Sequence, residues 1–266
     1  MTDRVGRPLA WVLATYAAWV GATYLLEGLP RTLQRPEAEG LRALYAVLAN
    51  LLVGVGGGGL VLARVLERHA LPPAVAGVNS PRRTIVMVCV GLAAGAAVYE
   101  LQSPPSRTVA VLVNGFSQVL PVSAAEVLVC WALPSTVAAM SRFANPAVAR
   151  LVAVVPGSVL FGLYHIAHSP PFNSPSMLLF LTAVGALTGL FFLVSGDLWA
   201  TILFHNFLAL HGVLSALERT PAVHSSEIRV PLVAVGVMTL LVLGVVHRWL
   251  LHTMARRHEA RPAPGG

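Results

Sequence analysis

Residues 176–195 read SMLLFLTAVGALTGLFFLVS, twenty positions without a charged side chain. A helix of that length rises about 30 Å, the thickness of a bilayer's hydrocarbon core. A helix lying on a soluble core would carry a polar stripe; here only Ser, Thr and Gly interrupt the apolar run. Further apolar segments fall at about 8–26, 41–66, 84–100, 108–140, 148–168, 198–217 and 230–251. The 266 residues are 56% hydrophobic and 11% charged, whereas soluble domains carry roughly a quarter charged residues. A water-facing globule would lack a polar coat. The expected fold is therefore all-α, a polytopic integral membrane bundle of about eight transmembrane helices forming one membrane domain over 1–266.

The formal charge of +7 does not point to nucleic acid. All 18 basic residues are arginines, placed mainly between apolar runs, which is how charge orients a membrane protein. With eight spans and both termini cytoplasmic, six arginines fall outside (Arg31, Arg35, Arg42, Arg107, Arg219 and Arg229) and the other twelve inside. Cys89 and Cys130 lie within apolar runs and form no metal or disulfide pattern. The first segment is long for a signal peptide and leads into further spans, so an uncleaved helix is expected. Segment 108–140 exceeds one span; Asn114-Gly115 and Pro121 predict a short membrane-dipping piece followed by a full helix over about 118–140. Pro72-Pro73, Pro104-Pro105 and Pro170-Pro171 mark loops or helix ends, and the tail 255–266 is expected to be disordered. Gly54 and the run Gly56 to Gly59 lack the Lys and Ser/Thr of a phosphate loop, so close helix approach is their expected role.

Most charged residues fall in loops or at span ends. Glu126 is the exception, set among Val122, Ala124, Ala125, Val127, Leu128 and Val129. A charge at mid-membrane costs roughly 2.5–3.5 kcal/mol on insertion scales, which makes it a functional candidate; the bland alternative is a protonated packing residue. Phe161 and His165 sit one turn apart in a later span, His168 follows near its end, and His205 lies inside the seventh. One buried histidine is usually structural. A carboxylate and two imidazoles on three helices could together activate water for hydrolysis if they converge.

The stretch Ala125-Glu126-Val127-Leu128-Val129-Cys130-Trp131-Ala132 resembles the Glu-Glu-x-x-x-Arg motif of the CAAX prenyl protease and bacteriocin-processing family of intramembrane proteases, abbreviated CPBP or Abi. Phe161 and His165 match that family's Phe-x-x-x-His, and His205 opens its His-x-x-x-Asn/Asp, preceded by the similar lead-in Gly196-Asp197-Leu198-Trp199-Ala200. The resemblance covers roughly 108–217. It implies that Glu126 activates a water, that His165 holds and polarises that water, and that His205 stabilises an oxyanion. Family members have also been described as metalloproteases, and Glu126, His165 and His205 would then be a zinc set; the metal-free glutamate mechanism is the favoured implication, with no cofactor.

The chain departs from the motifs at three positions. Val127 stands for the second glutamate, Trp131 for the arginine and Ala209 for the third-motif asparagine. Asn206 is polar and adjacent to His205, but it points about 100° away on a helix; it is carried as a fourth candidate site residue. Asp197 is expected to cap a helix, Asn114 and Gln118 to line the cavity or join helices, and His211 to be structural. His247, His252 and His258 lie at the membrane edge among arginines. The expected function is an intramembrane endopeptidase acting on membrane-embedded or membrane-associated proteins or peptides. The alternative is a degraded member with an immunity, scaffold or transport role. The all-arginine, alanine-rich composition suggests a bacterial inner membrane, with the lipid bilayer and a membrane-associated substrate as expected partners and no nucleic acid.

Overall fold

The computed structural model describes residues 2–35, 38–141, 145–218 and 226–260, with side chains except at 2–4, 141 and 253–260. Among the described residues eight helices are long and apolar enough to cross a membrane: α1 (Val5–Gln34), α2 (Glu39–His69), α3 (Pro73–Leu101), α4 (Val109–Met140), α5 (Pro146–Ala167), α6 (Pro175–Ser195), α7 (Leu198–Ala216) and α8 (Val230–His252). The described residues contain no strand. Large apolar side chains face outward along these helices, among them Leu52 (64% exposed), Leu179 (76%) and Val194 (86%). In water that surface would be an aggregation liability; in lipid it is the outside of an integral membrane protein.

The most buried helix is α4. It packs on α2, α5, α7 and α8, while α6 lies against α5 and α3 against α7. Glycines set how closely these pairs approach. A methyl group on Gly95 would meet the Phe207 ring, and one on Gly91 would meet the backbone of Ala200, so α3 rides directly on α7. The glycine run behaves as expected: Gly54 faces Ala125, Gly58 faces Leu128 and Gly59 faces Val246. Small residues permit this backbone approach.

Segment 108–140 is not divided. It is one continuous helix that carries Pro121 inside it. Its irregularity comes later, as a π-helical turn at Leu128–Ala132. Proline is tolerated in membrane helices because neighbouring groups re-satisfy the freed carbonyl. Asn114 is spent on the 227–229 segment, accepting from the Arg229 backbone N–H and donating to the Glu227 carbonyl (2.8 Å each). A π-helical stretch also occupies Tyr45–Gly57 of α2. At the C-terminal end the helix continues to Ala260, so the first part of the tail expected to be disordered is helical; 261–266 and the His258 side chain lie outside the described residues.

Candidate active site

Glu126 lies in the last turn of the regular part of α4, two residues before the π-helical turn at Leu128, and is 2% exposed. His205 lies two turns into α7 and is 1% exposed. His165 stands where α5 tightens into a 3₁₀ turn, His165–Ala167. The fold brings these three together: His205 Nε2 is 2.8 Å from Glu126 Oε2, and His165 Nε2 is 3.8 Å from Glu126 Oε1.

The hydrogen bonds around the imidazoles fix their protons. His165 directs its backbone N–H to Gly162 and Leu163 instead of Phe161. The freed Phe161 carbonyl accepts from His165 Nδ1 at 2.8 Å. A carbonyl has no proton to give, so Nδ1 carries the hydrogen and Nε2 of the neutral ring presents a lone pair to the cavity. On the other ring, the Thr188 hydroxyl donates to its own helix at Val184 (3.2 Å) and accepts from His205 Nδ1 at 2.8 Å. One proton therefore remains between His205 Nε2 and Glu126 Oε2, and the pair acts as a unit.

Glu126 Oε1 and His165 Nε2 are then two acceptors facing each other at 3.8 Å. That is too long for a direct hydrogen bond, and what fits between them is a group with two O–H or N–H donors, such as water. Phe161 stands edge-on to both imidazoles, its ring centre 4.7 Å from His165 and 5.1 Å from His205. Apolar walls of this kind keep the site's dielectric low and its charges strong.

A cavity of about 380 Å³ extends from the three side chains. Glu126, His165 and His205 line it together with Phe172, Leu181, Val184 and Leu208, and Ala209 also forms part of the wall. Its far end is built from Thr32, Arg42, Gln102, Pro171 and Ser215. These belong to the ends of α1, α3, α5 and α7 and the start of α2, so the cavity runs toward a single end of the bundle. His211 also faces the cavity, near the Gln102 carbonyl (3.3 Å), and Gln118 lines it as expected.

Asn206 does not join the three. It is fully buried, accepting from Ser123 Oγ (3.0 Å) and donating to the Phe116 carbonyl (3.1 Å), and so ties α7 to α4 behind the cavity. Asp197 caps α7 as the sequence suggests, accepting from the Ala200 N–H at 3.1 Å. Trp131, in place of the motif's arginine, is buried between helices. It packs on His205 (5.9 Å) and Phe161 (5.5 Å) and lies in a slot floored by Gly157 and Gly189.

Sequence reasoning missed two features. Glu27 is a second buried carboxylate, 4% exposed, in a π-helical turn at the end of α1. Its oxygens accept from the Ser169 N–H (2.8 Å) and Ser169 Oγ (2.6 Å), clamping the segment that follows His165. Its place directly after Leu25-Leu26, at the border of an apolar run, was the available signal. The other is Thr188, which carried no signal, since a lone threonine is ordinary in an apolar helix. Thr188→Val keeps the volume but leaves His205 Nδ1–H unpaired, at a cost of about 1–3 kcal/mol. Turnover of any substrate is expected to fall about tenfold with little change in KM, measured by initial-rate kinetics.

His168 stacks on His165 at 4.9 Å and bonds through Nε2 to Tyr45 Oη at 3.1 Å. Burial, with His165 alongside as the next contribution, holds its pKa well below the ordinary imidazole value. The folded protein keeps this ring neutral while the unfolded chain protonates near pH 6.5, so its contribution is complete above that pH and is lost as pH falls below it. The thermal midpoint is expected to drop on acidification from pH 7.5 to 5.5, and His168→Gln should flatten that slope.

The fold and site define a polytopic helical membrane protein with a carboxylate and two imidazoles buried at the head of an internal cavity. Residues 126–211 match the family described as Type II CAAX prenyl endopeptidase, Rce1-like. That is the family the motifs resemble, and the match covers the segment that carries all three of them. No curated protein and no solved structure matches the chain. The matched segment begins at Glu126 and contains His165 and His205, which supports protease chemistry for this site.

Zinc does not suit the arrangement as it stands. Among the described residues no three His, Cys, Asp or Glu side chains are disposed to hold a metal ion. The 2.8 Å contact between His205 and Glu126 is a hydrogen bond, shorter than the roughly 3.4 Å that separates two ligands of a tetrahedral zinc.

Proposed function

We propose that this protein is an intramembrane endopeptidase that hydrolyses a peptide bond of a membrane-embedded or membrane-associated substrate with a water activated by Glu126. The observation that carries this reading is the pair of facing acceptors, Glu126 Oε1 and His165 Nε2, at the head of a cavity inside a membrane bundle. A water held between them gives its proton to Glu126 as its oxygen attacks the substrate carbonyl. His205, hydrogen-bonded to Glu126 Oε2, orients the carboxylate and holds the shared proton. A substrate carbonyl reaching His205 Nε2 would draw that N–H from Glu126 to the developing oxyanion. Glu126 then protonates the leaving amine, which returns the site to its starting state.

The twelve-to-six division of the arginines supports placing both termini in the cytoplasm, with a bacterial inner membrane as the setting. The cavity would then run toward the opposite face, and the substrate would approach from that side.

The test is proteolysis in liposomes against a library of peptides and membrane proteins, comparing wild type with Glu126→Gln, His165→Ala and His205→Ala at matched folding. Cleavage lost in all three variants and insensitive to chelator supports the glutamate mechanism. Chelator-sensitive cleavage restored by zinc would replace it with a metal-dependent one. If wild type cuts nothing and Glu126→Gln supports the host unchanged, the protein is a non-enzymatic member of its family.

A further inference from the structure

We propose that Arg83 and Arg150 form a binding site for the phosphate of an anionic lipid headgroup, at the end of the bundle opposite the cavity. The site does not depend on the protease reading. It lies where α3, α5, α6 and α7 meet around the turn at Gly196, a residue with φ of +59°. A methyl group on Gly196 would lie 3.1 Å from one Arg150 terminal nitrogen and 3.2 Å from one of Arg83. The two guanidinium groups therefore converge on one point, their nearest nitrogens no more than about 6.3 Å apart. One phosphate can accept from both through charge-assisted bonds of about 2.8 Å.

Two positive groups held this close repel unless an anion joins them. Among the described residues neither has a carboxylate within ion-pair distance. Asp197 is the nearest acid in sequence, but its carboxylate is committed to Asn79 (3.0 Å), Thr84 (3.0 Å) and the Ala200 N–H (3.1 Å).

An independent sign of a missing partner is the state of Arg150. It is only 9% exposed, and its Nε is buried without a hydrogen bond. One terminal nitrogen donates to the Ala74 carbonyl at 2.7 Å and the group lies over the Phe192 ring at 5.9 Å, which leaves the side facing Gly196 to be satisfied. Arg83 is exposed and is steadied by the Ser195 carbonyl at 3.3 Å. The regular α-helical stretches starting at Pro81 within α3, Pro146 in α5 and Leu198 in α7 direct their N-termini to this end, and their dipoles also favour an anion.

A lipid is favoured over free phosphate because apolar side chains flank the site along the chain. Ile85 is 65% exposed, Leu151 55% and Val194 86%, a surface for acyl chains beside a cradle for the headgroup. Basic pockets between membrane helices bind such headgroups.

The test uses the full-length protein in neutral detergent, titrated separately with phosphatidylglycerol, phosphatidylcholine and sodium phosphate. Thermal midpoint is followed, with retained lipid read by native mass spectrometry. Phosphatidylglycerol is expected to raise the midpoint saturably and to stay bound, phosphatidylcholine to do neither, and Arg83→Gln to weaken the effect at least tenfold. Arg82→Gln, an exposed neighbour, should leave it unchanged. If Arg150→Gln fails to fold because it loses Ala74, Arg83→Gln decides the matter. Equal loss in the Arg82 and Arg83 variants would mean diffuse surface charge and would overturn the site. A shift with sodium phosphate but none with phosphatidylglycerol would overturn the lipid.

Discussion

Glu126→Gln is expected to reduce peptide cleavage by a factor of about 10³ or more, within or above the 10²–10⁴ range usual for a general base, while leaving the fold at least as stable. The substitution keeps the shape and one carbonyl oxygen. An amide cannot take a proton from water, and its NH₂ would face either His205 Nε2 or His165 Nε2. Stability should move the other way, because a buried ionisable group in a bilayer costs roughly 2.5–3.5 kcal/mol on insertion scales and glutamine lightens that load. A packing residue would show the reverse pattern, with structure and function declining together. The measurement is a paired one: cleavage rate in liposomes beside thermal midpoint in detergent. Activity within about tenfold of wild type would remove Glu126 from the role of base.

Gly157→Ala should produce a large loss of stability from a single methyl group. Its Cβ would collide with the Cys130 carbonyl oxygen and lie 2.7 Å from Trp131 Cδ1. The first of these contacts is backbone, part of the π-helical turn that follows Glu126, and backbone cannot rotate away. Overpacking of this kind costs about 1–3 kcal/mol or more. The helix carrying His165 would also be pushed from the one carrying Glu126, and a 1 Å displacement in a catalytic site can cost about 10²-fold in rate. Gly21→Ala and Gly244→Ala are the controls, since nothing lies within 4 Å of either added methyl. They should match or slightly exceed wild type, because alanine is favoured over glycine in a helix by about 1 kcal/mol. A Gly157→Ala protein as stable as these controls would show that α4 and α5 can separate freely.

The spans were legible because a bilayer imposes a length on apolar runs, and that length survives any detail of packing. Glu126, His165 and His205 were legible for the complementary reason: polar side chains inside those runs are rare enough to count. Geometry was less visible. Pro121 looked like a divider, yet Ser117 and the rest of that turn continue as helix, and the irregular turn sits seven residues later at Leu128–Ala132, just ahead of Pro134. Pro134 has no N–H for the Cys130 carbonyl four residues back, and Trp131 of the same turn is seated against Gly157 and Gly189 from two other helices. The clamp from Glu27 to Ser169 joins positions 142 residues apart, a pairing that no local pattern encodes. Asn206 shows the limit from the other side. Its adjacency to His205 suggested a shared task, and the 100° step around the helix sends it to Ser123 instead.

The slot around Trp131 also bears on which substitutions this chain can accept. Placing arginine at that position, as in the related motif, would take one substitution but would set a guanidinium in a fully enclosed space beside Val127, with the motif's remaining acid, Glu126, already bonded to His205. Supplying a glutamate at 127 first would bury a lone carboxylate. Either order passes through an intermediate with an unpaired charge in a dry interior, which is strongly destabilising. The aromatic arrangement is thereby coupled: Trp131 fits because Gly157 and Gly189 leave it room, so an exchange at 131 has to be matched at the positions around it.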